Sequence, residues 1–222
     1  MIKLKGNYET KKDLIITDLD GTLTNKSLVL EHYGHLINRG IIEDNGSYEA
    51  WCKDVKNEKL IVNCAISYQK AIVGLRLQDM DIENFVTEFI ADDNNWYLEV
   101  LETLEVARDF GNTDILMITG SADFLVQELA NQLGFDYFAT IYKTTNDLIN
   151  GDIVPMFGEA HKDNIIKQNV DLHLYDDIIG FGDTSSDYGI FKHCKRNILV
   201  HPTIETLKSL LILGCEIEKI ID

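Results

Sequence analysis

Apolar positions follow two rhythms along this chain, and the switches between them set its organisation. Leu14, Ile15 and Ile16 form a short β-branched run that predicts a buried strand leading into Asp18, Asp20 and Gly21. After Thr24 the spacing turns helical and stays so for roughly 80 residues. Helices are predicted over Ser27 to Ile37 (ending near Gly40), Tyr48 to Val55 and Leu60 to Leu75. Asp81 stands where it would N-cap a helix carrying Ile82, Phe85, Val86 and Phe89 on one face. A last helix, Trp96 to Phe110, groups Leu98, Leu101 and Leu104 and stops at Gly111.

Strand signals then return. Asp114 to Thr119, Tyr137 to Tyr142, Asp177 to Phe181 and Asn197 to Val200 read as strands. Ala122 to Leu133 (with Gly134 just past its end), Lys162 to Gln168 and Thr203 to Leu213 read as helices. Asn150-Gly151, flanked by Leu148-Ile149 and Ile153-Val154, predicts a hairpin turn. Alternating strands and helices imply an α/β fold with a parallel sheet, and the helical block implies a bundle inserted after the first strand. There are no repeats, low-complexity runs or Pro-rich linkers.

Composition narrows the partners. With 222 residues and a hydrophobic fraction of 45%, the chain can bury a sizeable core. A net charge of -17 argues against nucleic acid and against an anionic membrane surface. Such a chain can still hold a phosphorylated small molecule if a metal ion and a few cations reverse the field locally. Met1 to Lys12 is polar with four lysines and reads as no signal peptide, and no stretch has the length of a membrane span. Cys52, Cys64, Cys194 and Cys215 show no Cys-x-x-Cys spacing and read as buried free thiols, so the expected location is cytoplasmic.

In a parallel sheet the strand ends share one edge, so distant polar groups converge there. The first strand ends in Asp18-Leu19-Asp20, the second in Thr119-Gly120-Ser121 before a helix, and a later one in Gly182-Asp183-Thr184-Ser185-Ser186-Asp187, with Lys162 opening the helix before it. Asp-x-Asp-Gly alone also suits a plain turn. It is no EF-hand, since loop positions six and twelve would be Leu23 and Val29 in place of Gly and Glu. The set suits phosphoryl transfer through an aspartyl phosphate: Asp18 as nucleophile and Asp20 as acid, then base. Asp18, the main-chain carbonyl of Asp20, and Asp183 are the candidate Mg²⁺ ligands, with Asp187 direct or through water. Thr119 and the Gly120 N–H at a helix start would meet the phosphate oxygens, and Lys162 would hold the nucleophile. Other readings stay open: Ser121 in place of Thr119 as phosphate ligand, Asp187 as a helix cap, and Lys162 as a solvated helix-start lysine.

Together these segments resemble the haloacid dehalogenase superfamily of phosphohydrolases, in its phosphoserine-phosphatase-like branch. Asp18 to Thr22 matches its first motif, Ile115 to Thr119 the second, Lys162 the third and Gly182 to Asp187 the fourth. The resemblance implies a Rossmann-like core from residues 1–24 and 108–222, with a helical C1-type cap over 25–107. About 100 residues separate Asp18 from Thr119, enough for that cap, while the 43 positions from Thr119 to Lys162 leave no room for a second. It also implies an Mg²⁺-dependent phosphatase acting on a small phosphorylated metabolite. Phosphoserine itself is not expected. At the position of the family's ammonium-binding Glu stands Ser27, and its carboxylate-binding Arg has no matched counterpart here, Val73 falling at roughly that place with Arg76 one turn away. Rival readings are phosphotransfer to an alcohol on the same scaffold and, from another class, a phospho-accepting receiver module.

The remaining polar and aromatic residues receive plain readings. His32 and His35 are expected on a surface face, not at a metal. Trp51, Tyr68 and Met80 are expected in the core of the helical segment. Arg39 and Arg76 read as surface charge, as do the acidic positions Asp92-Asp93 and Glu99 to Glu105.

Overall fold

Successive residues of the first strand face opposite sides of the sheet, and both sides are covered. In β1 (Lys12–Thr17), Leu14 and Ile16 join one apolar cluster and Ile15 the other. In β2 (Thr113–Ala122), Leu116 and Ile118 follow the first pair, and Ile115 and Met117 follow Ile15. A strand buried on both faces shows the unbroken apolar run seen in the sequence. The computed structural model describes residues 12–55 and 58–222, with the Glu58 side chain left aside; the polar amino-terminal stretch lies outside them.

The chain continues through β3 (Asp136–Thr145), β4 (Leu148–Val154), β5 (Tyr175–Gly182), β6 (Arg196–Val200) and β7 (Lys219–Ile221). Among the described residues these form one seven-stranded sheet, ordered β4-β3-β2-β1-β5-β6-β7. Every neighbouring pair is parallel except β3 with β4. The chain builds outward from β1 on one side and returns to add β5 on the other. That reversal opens a crevice beyond the carboxyl end of β1, where ligands bind in sheets of this kind.

Between β1 and β2 lie α1 (Leu28–Asn38), α2 (Ser47–Lys53), α3 (Glu58–Ala71), α4 (Ile82–Ala91) and α5 (Leu98–Asp109). The 107/108 division falls in the last turn of α5. The remaining helices are α6 (Asp123–Leu133), α7 (Glu159–Asn169), α8 (Tyr188–Phe191) and α9 (Ile204–Ile212). Trp51, Tyr68 and Met80 are buried within the helical block, as the sequence predicts. Two crossings join this block to the sheet: Tyr97 N–H donates to the Leu23 carbonyl and Asn25 N–H to that of Asn95. The β3–β4 hairpin adds a third connection, with Gly74 N–H on the Ile149 carbonyl and Ile149 N–H on that of Leu75.

Several local expectations are corrected. The hairpin turns at Asn146-Asp147, both with positive φ, while Asn150-Gly151 lies inside β4. Two adjacent left-handed residues twist the turn with the strands, and Gly151 keeps its positive φ next to Val73. Asp81 adopts φ 52 and makes no side-chain cap; its carboxylate takes His35 Nε2 at 2.9 Å and Asn84 Nδ2 at 2.6 Å. His32 is fully buried and not on a surface face. Its two ring nitrogens are satisfied by the Tyr68 hydroxyl and the Met80 carbonyl, both at 2.9 Å, so burial leaves no orphan polar atom. Leu98 is 44% exposed; Val100 and Leu104 carry the buried face of α5. Cys52 is exposed. Strand β7 had no forecast.

Candidate active site

The loop after β1 winds around one buried carbonyl. The main-chain N–H groups of Thr22, Leu23 and Thr24 all donate to the Leu19 carbonyl, folding Asp18 and Asp20 to the same edge of the sheet. Asp18 N–H donates to the Phe181 carbonyl of β5 at 3.1 Å, which fixes the nucleophile candidate between the two central strands. Gly21 turns the chain at φ +89, and a Cβ there would sit 2.4 Å from Asp183 Oδ2. Only glycine combines that backbone with that approach. Gly182 allows a comparably close approach in the other loop, since its Cβ would fall 2.5 Å from the Asp187 Cβ.

The predicted residues meet. Lys162 Nζ donates to Asp18 Oδ1 at 2.8 Å and to Asp187 Oδ1 at 2.6 Å, with Lys162 only 3% exposed. Lys162 lies one turn inside α7, not at its start, and it is not a solvated lysine. Asp187 is fully buried, and its Oδ2 accepts the Asp183 and Thr184 N–H groups and the Thr184 hydroxyl. It closes a capping box with Thr184 on the short turn Ser185–Asp187 and anchors Lys162, but makes no side-chain cap for the helix that follows, which corrects the helix-cap reading. Thr22, quoted in the first motif without a role, donates its hydroxyl to Asp183 Oδ1 at 3.0 Å.

Asp20 is clamped from two sides. Its Oδ1 accepts the Leu28 N–H, the first amide of α1, at 2.7 Å. Its Oδ2 accepts the Ser121 hydroxyl at 2.7 Å and the Thr119 hydroxyl at 3.2 Å. Here the sequence expectation needs correction: β2 runs on to Ala122 and α6 starts at Asp123, so Gly120 is not at a helix start. The ladder between β2 and β3 breaks its register between Ile118 and Ala122. Such an irregularity re-aims the backbone of Thr119 to Ser121 towards the site. Ser121's link to Asp20 had no sequence signal beyond its place beside Thr119.

Charge is unbalanced in this cluster. Asp18, Asp183 and Asp187 each bring one carboxylate oxygen within 4.8 Å of the others, against the single ammonium of Lys162. Burial raises the Asp18 pKa; Lys162 opposes that rise and Asp187 adds to it. Burial also raises Asp183, reinforced by the charges of Asp18 and Asp187. Burial raises Asp20 against the hydrogen bonds from Ser121, Leu28 and Thr119. For Lys162, burial lowers the pKa, but the charges of Asp18 and Asp187 outweigh it and the net shift is upward. A hard divalent cation among these oxygens would offset the surplus negative charge, so the donor set fits one.

Arg76 is not in this cluster. It bridges to Leu148 near the hairpin tip, beside Thr144 and Asp147, four and more residues beyond the Ala122–Thr140 pairing at the sheet edge. Arg39 pairs with Asp81 at 3.4 Å and Glu88 at 3.8 Å.

Among solved structures, a protein of unknown function from Bordetella pertussis Tohama I superposes with a TM-score of 0.70 at 16% identity, covering 96% of this chain and 99% of its own. A phosphoserine phosphatase in apo form gives 0.63 at 18% identity, covering 96% and 94%. A phosphoserine phosphatase solved as a phospho-aspartyl intermediate analogue gives 0.58 at 17%, with the same coverages. These likenesses show a shared fold. No curated protein matches the chain in sequence. The model of the haloacid dehalogenase-like hydrolase family matches residues 15–192, and the chain belongs to that family.

Proposed function

We propose that this chain is a divalent-metal-dependent phosphatase that hydrolyses a small phosphomonoester through an aspartyl phosphate on Asp18. The observation that carries this reading is the buried Lys162 bridging Asp18 and Asp187 at 2.8 and 2.6 Å, beside Asp183 at the ends of β1 and β5. A phosphoserine phosphatase neighbour captured as a phospho-aspartyl analogue supports it.

Asp18 attacks phosphorus through Oδ2 while Lys162 holds Oδ1. As the phosphorus–oxygen bond to the leaving group breaks, Asp20 gives its proton to the departing oxygen. Asp20 then takes a proton from water as water attacks phosphorus and the Asp18–phosphate bond breaks, which restores the Asp18 carboxylate and the protonated Asp20. Thr119 and the Gly120 N–H supply donors to the phosphate oxygens. Asp18, the main-chain carbonyl of Asp20, and Asp183 would hold Mg²⁺, which when bound neutralises phosphate charge. Asp187 already accepts four donors, so it acts through Lys162 and the 183–184 amides and meets the metal only through water.

On this reading the helical segment 25–107 serves as a cap, and with Asp18 7% exposed and Lys162 3% it must part to admit substrate. Ser27 is uncharged, and Val73 packs beside Gly151 of the hairpin. The family's groups for a serine leaving group are thus not matched at these positions, which argues against phosphoserine as the preferred ester. The test is phosphate release from a panel of serine, sugar, nucleotide, choline and histidinol phosphates, with and without Mg²⁺. Metal-dependent release that vanishes in Asp18→Asn supports the reading. Undiminished release by Asp18→Asn refutes it, and a long-lived acyl phosphate with no turnover would favour a signalling module.

A further inference from the structure

We propose that Ser121 is a positioning residue for Asp20: its hydroxyl fixes the acid–base carboxylate in line with the leaving-group oxygen. The inference rests on the phosphatase reading above and goes beyond it. Ser121 is 3% exposed and donates to Asp20 Oδ2 at 2.7 Å, the shorter of the two hydroxyl contacts on that oxygen. Its own N–H is spent on Thr119 Oγ1 at 3.1 Å. The Ser121 hydroxyl is therefore aimed at Asp20 by the irregular backbone at the end of β2.

Thr119 is the other donor on Oδ2, at 3.2 Å, and under the proposed chemistry its hydroxyl turns to a phosphate oxygen when substrate enters. Ser121 then remains the one side-chain donor of this pair on Oδ2, while the Leu28 N–H at 2.7 Å holds Oδ1. With one donor on each oxygen, the carboxylate cannot rotate about its last bond without breaking a buried hydrogen bond. Its free lone pair stays directed where a proton must be delivered. This assigns Ser121 to Asp20 and removes it as a phosphate ligand.

A misaimed acid matters most when the leaving group needs protonation. Ser121→Ala and wild type would be compared on phenyl phosphate, a poor leaving group, and p-nitrophenyl phosphate, a good one, at saturating Mg²⁺. The variant is expected to lose about tenfold in kcat/KM, which reads transfer to Asp18 alone, on phenyl phosphate but less than about threefold on p-nitrophenyl phosphate, while kcat on either ester also carries any slowing of the shared hydrolysis step. Ser121→Cys keeps the shape with a somewhat larger atom but offers only a weak donor, and a folded Cys variant should show the same selective loss. Equal losses in kcat/KM on both esters, or no loss, overturn the proposal. A rise in KM at constant kcat also overturns it, since that would mark a phosphate ligand. Wild type that releases phosphate from neither ester refutes the phosphatase reading and this inference together, whereas an active wild type with equal losses refutes the inference alone.

Discussion

Lys162→Met is the most informative single perturbation of the site's stability. Methionine fills much of the lysine volume but leaves Asp18 Oδ1 and Asp187 Oδ1 without the donor that now sits at 2.8 and 2.6 Å. Both carboxylates are buried, at 7% and 0% exposure, so water cannot replace the lost ammonium. Removing one partner from a buried pair costs about 3–5 kcal/mol. For a chain of this size that lowers the melting midpoint by about 6–20 °C. Urea denaturation in EDTA at neutral pH reads the loss directly. Because the cost comes from surplus negative charge, Asp18→Asn in the Lys162→Met background should recover part of it, a non-additivity that a double-mutant cycle measures. Added Mg²⁺ should also recover part of it. Lys162→Met within about 1 kcal/mol of wild type in EDTA would refute the electrostatic account of this cluster.

Three further outcomes follow from the geometry. Asp18 and Asp183 have folded-state pKa values raised to about 7 and about 8, so the metal-free protein binds protons that the unfolded chain releases, and its site-specific stability declines as pH rises from 4 through 8. Mg²⁺ competes with those protons, so the stabilisation it confers should grow across the same range; a flat dependence in calorimetry contradicts this. His32 titrates near 4 in the fold, against 6.5 in the unfolded reference, because burial disfavours its charged form. Its contribution is complete above 6.5 and is lost as pH falls to 4, about 3 kcal/mol in all, and a His32→Gln variant should lack that acid limb in urea titrations at stepped pH. Gly21→Ala would place a methyl 2.4 Å from Asp183 Oδ2 on a φ of +89. It should fold with about 1 kcal/mol of backbone strain yet lose most Mg²⁺ affinity by isothermal titration, and unchanged affinity would show that the Asp183 loop is not set by this contact.

What could be read from sequence was whatever depended on period and on strand ends. The runs at Leu14–Ile16 and Ile115–Ile118 are buried on both faces, so each shows as a continuous apolar block, and sheet topology alone then brings Asp18, Lys162 and Asp183 to one edge. What escaped depended on backbone conformation or on a single contact. The hairpin turn lies at Asn146-Asp147, which adopt the positive φ values, although Asn150-Gly151 carries the stronger turn signature in the sequence. The extension of β2 through Thr119 to Ala122 follows from a register break that no residue pattern announces. His32 looked like a surface residue because its burial rests on one tyrosine hydroxyl and one carbonyl from distant segments. Strand β7 is three residues long and forms only because the end of β6 offers it an edge.

The central claim is that phosphate is carried on Asp18. Asp20→Asn should still accept phosphate from p-nitrophenyl phosphate, whose leaving group needs no proton, yet should be slow to activate the water that releases it. Acid-quenching that variant with the ester and Mg²⁺, followed by peptide mass spectrometry, should find an alkali-labile phosphate on Asp18. A phosphate on another residue, or none during continued turnover, would contradict the account.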